Sequence, residues 1–349
     1  MKMRYQTYDK ELDNSGFLSP NDRVNVFINF ESILKNLSMV KDLDKKLILE
    51  REFPTILTAE SLNLMAHYKR FFKQNGLETR VFLYYTDLTS DNYVLSDVNE
   101  DYRSYYNQKY LYNPKFNYLG TTLIDRIIPE IKTISEFLNG VYFITAHNFE
   151  GSLIPYIIAE MDKSYKNLII SEDVYDTQYQ SYPDRFLNHY LKRSMTNPYI
   201  TYKLHDTISN MINDNPNISR TTNIYENNRS FYNLILSAHG SKSRSIEPVK
   251  GIGPKTMDKF IVQSLKDGLI QPDTTNMDML ISSLPNEIQD DIRINFECID
   301  LSRQYSMLSR EDLFSVEKQL IDRLDNNTLG KLNGGRFYNH PLMLNELTM

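Results

Sequence analysis

Cysteine is almost missing: Cys298 stands alone among 349 residues, which excludes an internal disulfide framework. It lies in the apolar-periodic run IRINFECIDL and reads as a core residue. The six histidines are scattered, with no close-set pair and no Cys/His cluster, so a structural zinc site is not expected. Long apolar runs are also missing. None approaches the ~20 residues needed to cross a bilayer, so no membrane partner is expected. The opening MKMRYQTYDKELDNSG is polar and charged and has no signal-peptide core, so the expected setting is intracellular, cytoplasm or nucleoid. Glycine is scarce at 12 residues, tyrosine is plentiful at 25, and Asn, Ile and Lys abound. That usage suggests an AT-rich genome, cellular or viral.

A strongly basic balance is lacking too. The formal charge of -6 argues against a protein that is basic all over, but nucleic-acid binding needs only a local patch. Residues 181–260 carry 11 Lys and Arg against 6 Asp and Glu, whereas residues 261–349 carry 8 against 14. A basic island therefore precedes an acidic C-terminal region.

The chain is long enough for one large or two modest domains. Residues 1–20 form a polar lead-in. Strands are expected at Val24–Phe30, Thr79–Tyr85, Val141–Thr145 and Asn167–Ser171, each a short apolar, β-rich run. Helices are expected from Glu31 to about Leu49, then over Thr58–Gln74, Leu123–Leu138 and Ser152–Met161. Such alternation predicts an α/β fold, a central and mainly parallel sheet with helices on both faces, over residues 21–230. A Tyr-, Asn- and Asp-rich insertion falls near 88–120. Beyond about residue 230 strand signals stop, giving a helical region over 231–301 and a helical tail over 302–349. The Asn- and Tyr-rich stretch 184–228 is either a DNA-facing insertion or a polar surface of the sheet domain.

The most specific stretch is GSKSRSIEPVKGIGPKTMDKF, Gly240–Phe260. Gly251 and Gly253 flank one apolar residue, allowing a tight turn and close approach to another molecule. Pro254 suits the first turn of a helix, where its missing N–H costs nothing. A helix start offers unpaired N–H groups and partial positive charge to a phosphate. Lys250, Lys255, Thr256 and Lys259 lie around that seat. This is the pattern of a helix-hairpin-helix, which grips the nucleic-acid backbone without reading bases.

Functional groups of parallel sheets gather past the carboxyl ends of the strands. That rule selects Asn29 and Glu31, Asp87, Glu150, and Asp173 with Asp176. Acids there, followed by a phosphate-gripping hairpin, point to metal-assisted phosphodiester cleavage, because Mg²⁺ needs anionic oxygens at short range. In VKGIGPKT and LIISEDVYD, and less strongly in FEGSLIPYIIAE and SLPNEIQDDIRINFECIDL, the chain resembles the structure-specific 5′ nucleases, the flap endonucleases and 5′–3′ exonucleases. The resemblance spans roughly Val24–Leu301. It implies a PIN-like fold, DNA as partner through the backbone of a branched or ended duplex, and a Mg²⁺ or Mn²⁺ cofactor if the chain is active. It also puts DYRSYYNQKY where that family carries a helical arch, with Arg103 and Lys109 as the cations at the scissile phosphate.

Where chemistry matters the match is uneven. The family's first strand ends in Asp-Gly; here it is Asn29-Phe30. Asp87 takes the place of the Asp after the second strand. The family's Glu-Ala-Asp-Asp reads Glu150-Gly151-Ser152-Leu153. Its Ser-x-Asp-x-Asp reads Ser171-Glu172-Asp173-Val174-Tyr175, with Asp176 one place late. Its Gly-Asp-x-x-Asp-Asn reads Gly240-Ser241-Lys242-Ser243-Arg244-Ser245. The residual metal set is Asp87, Glu150, Asp173 and Asp176. A guanidinium at a ligand position repels a dication 4–5 Å away by on the order of several kcal/mol, and Arg cannot be neutralised. Arg244 then has two readings: with Lys242 it adds charge beside the hairpin for DNA, or it pairs with Glu150 or Asp173 in place of the metal.

The expectation is a DNA-binding protein of the 5′-nuclease fold with impaired or lost cleavage, in DNA replication, repair or a viral nucleic-acid assembly. The alternatives are an active, divergent Mg²⁺- or Mn²⁺-dependent nuclease and a protein-interaction subunit docking through the acidic C-terminal region.

Overall fold

The run RVNVFIN forms strand β1 (Arg23–Asn29), buried on both faces as the centre of a sheet requires. The structure, a computed structural model, describes residues 18–33, 43–87, 94–102, 127–171, 173, 176, 178–179, 185–192, 200–202, 229–241 and 244–321. Arg103, Lys109, Lys242 and most of the expected arch lie outside those residues, as does the side chain of Lys255.

β2 (Glu78–Thr86), β3 (Val141–Ala146) and β4 (Tyr165–Ser171) lie where the apolar runs predict. β5 (Phe186–Lys192) and β6 (Ile200–Tyr202) extend the sheet. The spatial order is β3-β2-β1-β4-β5-β6; all pairs are parallel except β5 with β6. The stretch beginning at 184 therefore supplies part of the sheet. FLNHYLK hid this because Asn and His interrupt its alternation.

Alternation along β1 and β2 divides the core. Val24, Val26, Ile28, Val81, Leu83 and Tyr85 face helix α1 (Leu43–Gln74) and α2 (Ile128–Phe137). Phe27, Phe82 and Tyr84 face α3 (Ile154–Met161) and the C-terminal helices. α1 corrects the sequence reading, which placed two helices there. It runs for 32 residues through Pro54. An interior proline costs about 3 kcal/mol. Beyond the proline, Leu57, Leu62, Met65, Tyr68 and Phe72 seat the helix against the sheet, at about 1.5–3 kcal/mol each.

The C-terminal helices are α4 (Arg229–His239), α5 (Pro254–Lys266), α6 (Met277–Ser282), α7 (Asn286–Ile299), α8 (Leu301–Met307) and α9 (Arg310–Ile321). They share one continuous core with the second face of the sheet, through Phe231, Leu234, Met257, Ile261, Ile292 and Cys298. α9 also closes the sheet's β3 edge. Its Gln319 accepts from the Thr145 N–H at 2.9 Å and donates to the Thr145 carbonyl at 2.9 Å, occupying groups an added strand would pair with.

Candidate functional site

Two acid sites form at the carboxyl ends of β1 to β4. The first surrounds Asp176. Its Oδ2 accepts from Asn29 Nδ2 at 2.9 Å, Tyr84 OH at 2.9 Å and Ser171 Oγ at 2.5 Å. Burial, then the negative charge of Asp173, raises its carboxyl to about 6, against the hydrogen bonds from Ser171 and Asn29 and the charge of Arg244. The same burial and the Asp176 charge hold the Tyr84 hydroxyl well above the usual tyrosine range.

The second surrounds Arg244, which is only 1 % exposed. Glu150 comes from the turn after β3, held where the Gly151 N–H meets Thr86 Oγ1 at 3.0 Å. Arg244 Nε lies 3.3 Å from Glu150 Oε2, and its Nη2 lies 3.0 Å from Asp173 Oδ2. Nη2 also donates to Ser152 Oγ at 3.1 Å. One guanidinium thus holds two carboxylates that come from different strands, and the serine standing at an acidic position of the resembled pattern is its third partner.

The four acids selected from the sequence do not gather into one set. Glu150 and Asp173 share Arg244, Asp176 sits with Asn29 and Tyr84, and Asp87 lies 3.0 Å from His147 Nδ1 just past β3. Among the described residues no three His, Cys, Asp or Glu side chains form a metal site. The residues present do not fit a divalent ion, because a permanent cation already lies between the two carboxylates best placed to bind one. Of the two sequence readings of Arg244 the structure has the pair: its guanidinium is buried against Glu150 and Asp173 and is not presented to solvent. The strand-end rule passed over Tyr84 and His147, and it gave Ser171 and Ser152 no role at the site. The available signal was position: Tyr84 lies near the carboxyl end of β2, Ser171 ends β4, and His147 and Ser152 follow β3.

The connection from α4 to α5 is exposed beyond Val249. Gly251 adopts φ +78°, and the Ile252 N–H bonds to the Val249 carbonyl at 3.0 Å, making a tight turn. α5 begins at Pro254 with Gly253 extended before it. Lys250 and Lys259 are exposed, and neither has an ion pair among the described residues. Thr256 is half-buried, its N–H bonded to the Gly253 carbonyl at 2.9 Å. The turn is anchored from behind, where Asn295 Nδ2 donates to the carbonyls of Ser237 at 2.8 Å and Glu247 at 2.9 Å.

No protein-family model matches the sequence, and no curated protein matches it. The fold does have solved counterparts. The bacteriophage T5 flap endonuclease co-crystallised with metal ions superposes with a TM-score of 0.54 at 14% identity, over 85% of this chain and 98% of that one. A form with one aspartate changed to lysine, described as a pseudo-enzyme–product complex with DNA and metal ions, gives 0.53 at 12% identity with the same coverage. The T5 5′-exonuclease with bound zinc gives 0.52 at 14%, again with that coverage. The chain has a 5′-nuclease-like fold.

Proposed function

We propose that this chain is a DNA-binding protein on the 5′-nuclease fold that has given up metal-dependent cleavage. The observation carrying this reading is the buried Arg244 guanidinium between Glu150 and Asp173. A dication in the same place would meet repulsion on the order of several kcal/mol. Asn29 in the strand end beside them brings no charge either.

DNA is the partner because the turn over Lys250–Gly253 and the start of α5 present backbone N–H groups and lysines to solvent, an arrangement suited to phosphates. The similar T5 flap endonuclease was solved in complex with DNA. A branched or ended duplex, gripped through its backbone, is the substrate class that follows. A role in replication, repair or a viral nucleic-acid assembly goes with it. The acidic C-terminal region is the surface offered to a protein partner.

The test is a gel-shift and cleavage assay on a 5′-flap duplex, with and without Mn²⁺. Binding is expected to weaken steeply with salt, through counterion release, and no cleavage is expected. Mn²⁺-dependent cleavage abolished by Asp173→Ala would establish a divergent active nuclease instead. Unchanged DNA affinity in the Lys250→Glu, Lys255→Glu double variant would favour a protein-interaction role.

A further inference from the structure

We infer that Arg244 is the resident cation of this site and the fastener that sets the DNA-binding turn against the sheet. The site therefore keeps its shape without a divalent ion and admits one only when the guanidinium is removed. The inference rests on the DNA-binding reading for the purpose of the turn, but not for the role of the cation.

Arg244 joins parts of the chain that no short connection joins. Its partners Glu150 and Ser152 lie 94 and 92 positions away, on the sheet side, while Arg244 itself belongs to the connection between α4 and α5. The Glu150 side chain is fully buried, and a carboxylate so placed stays ionised only beside a cation. A guanidinium suits the position because its planar fork can reach several oxygens at once while remaining charged.

The backbone is built to deliver this side chain. Gly240 takes φ +66°, and a Cβ there would come within 2.4 Å of the Ile246 carbonyl oxygen and 2.8 Å of the Glu247 carbonyl carbon. Ser245 holds φ +56°, left-handed and rare outside glycine. A small antiparallel bridge joins Ser241 to Ile246, and the Arg244 N–H bonds to the Ser241 carbonyl at 2.9 Å. Asn99 Nδ2 reaches the Ser245 carbonyl at 3.4 Å. Such costly conformations persist where the surroundings over-determine them. The loop then runs directly into Val249, whose N–H is held by the Ala238 carbonyl at 3.0 Å, and into the exposed turn. Seating Arg244 therefore fixes where Lys250 and Gly251 lie relative to the sheet.

The test pairs melting curves with affinity for a branched duplex, in EDTA and in Mn²⁺, for wild type, Arg244→Ala, Arg244→Lys and Arg244→Ala/Asp173→Ala. Wild type is expected to melt at the same temperature in EDTA and in Mn²⁺. Arg244→Ala should melt about 10 °C lower. Mn²⁺ at about 100 times its dissociation constant should restore roughly 5 °C, and should restore DNA affinity with it. The double variant should show no restoration. Arg244→Lys, which keeps the charge but fewer contacts, should melt between the two and ignore Mn²⁺.

Saturable Mn²⁺ stabilisation of wild type would overturn the proposal, and that arm needs no variant to fold. An Arg244→Ala protein that melts lower but is indifferent to Mn²⁺ would overturn it as well, since a purely structural arginine gives that result. Failure of wild type to shift the duplex would remove the DNA-binding reading, while the melting series would still decide the role of Arg244.

Discussion

Asp176 and the Glu150–Asp173 pair lie side by side past the strand ends, yet the chain settles their charges in opposite ways. Asp176 is met by neutral donors from Asn29, Tyr84 and Ser171, and its carboxyl is pushed up to about 6. Glu150 and Asp173 are met by a full positive charge that cannot be titrated away. Neutral donors leave a buried acid close to giving up its charge, whereas a guanidinium commits both carboxylates to keeping theirs. The second arrangement closes the site to another cation.

Removing one partner of the committed pair should have the largest effect. Glu150→Ala takes the fully buried carboxylate from a buried guanidinium, leaving it paired with the partly exposed Asp173, and is expected to cost about 3–5 kcal/mol in urea unfolding. A loss below about 1 kcal/mol would show that the pair is no more committed than a surface ion pair. Gly240→Ala attacks the delivery of the guanidinium and not its charge. Positive φ and the approach to the Ile246 carbonyl predict a loss of about 2–3 kcal/mol.

Asp176→Asn tests the neutral site. The folded carboxyl binds its proton more tightly than the unfolded one, so this residue's contribution to stability declines as pH rises from about 4 to about 6 and stays low above that. Asparagine carries no charge to bury, so the variant should be more stable than wild type by on the order of 1–2 kcal/mol at pH 7 and should gain nothing at pH 4. Melting curves at the two pH values check this; an equal change at both would locate the cost in packing. The smallest effect on stability belongs to the exposed turn. Lys250→Glu should leave the melting temperature unchanged, weaken duplex binding about tenfold, and reduce the salt slope by about one.

Much of the sheet was legible because VNVFIN, VFLYY, VYFIT and NLIIS are short apolar runs that alternation identifies without tertiary information. β5 was not legible, because Asn188 and His189 break the alternation. The helix through Pro54 was missed for a related reason. Local propensity ends a helix at proline, yet this one runs on through Pro54 to Gln74. At the site, the placement of Glu150, Asp173 and Asp176 past strand ends followed from the sequence. Their separation into two differently neutralised groups did not. That division depends on which side chains from β1, β2 and the α4–α5 connection arrive at each carboxylate.

By itself, then, the sequence determined the period of β1 to β4, the uncharged side chains at Asn29 and Ser152, and the Gly-Ile-Gly-Pro pattern that begins α5. These are properties of neighbouring residues, fixed by side-chain size, charge and backbone freedom. Tertiary structure alone decided the destination of Arg244. The sequence left it equally suited to a phosphate in solvent or to a buried pair. Packing the C-terminal helices onto the sheet brought a loop with a left-handed Gly240 within reach of Glu150, 94 positions earlier, and a charge enclosed there had to be met by its opposite.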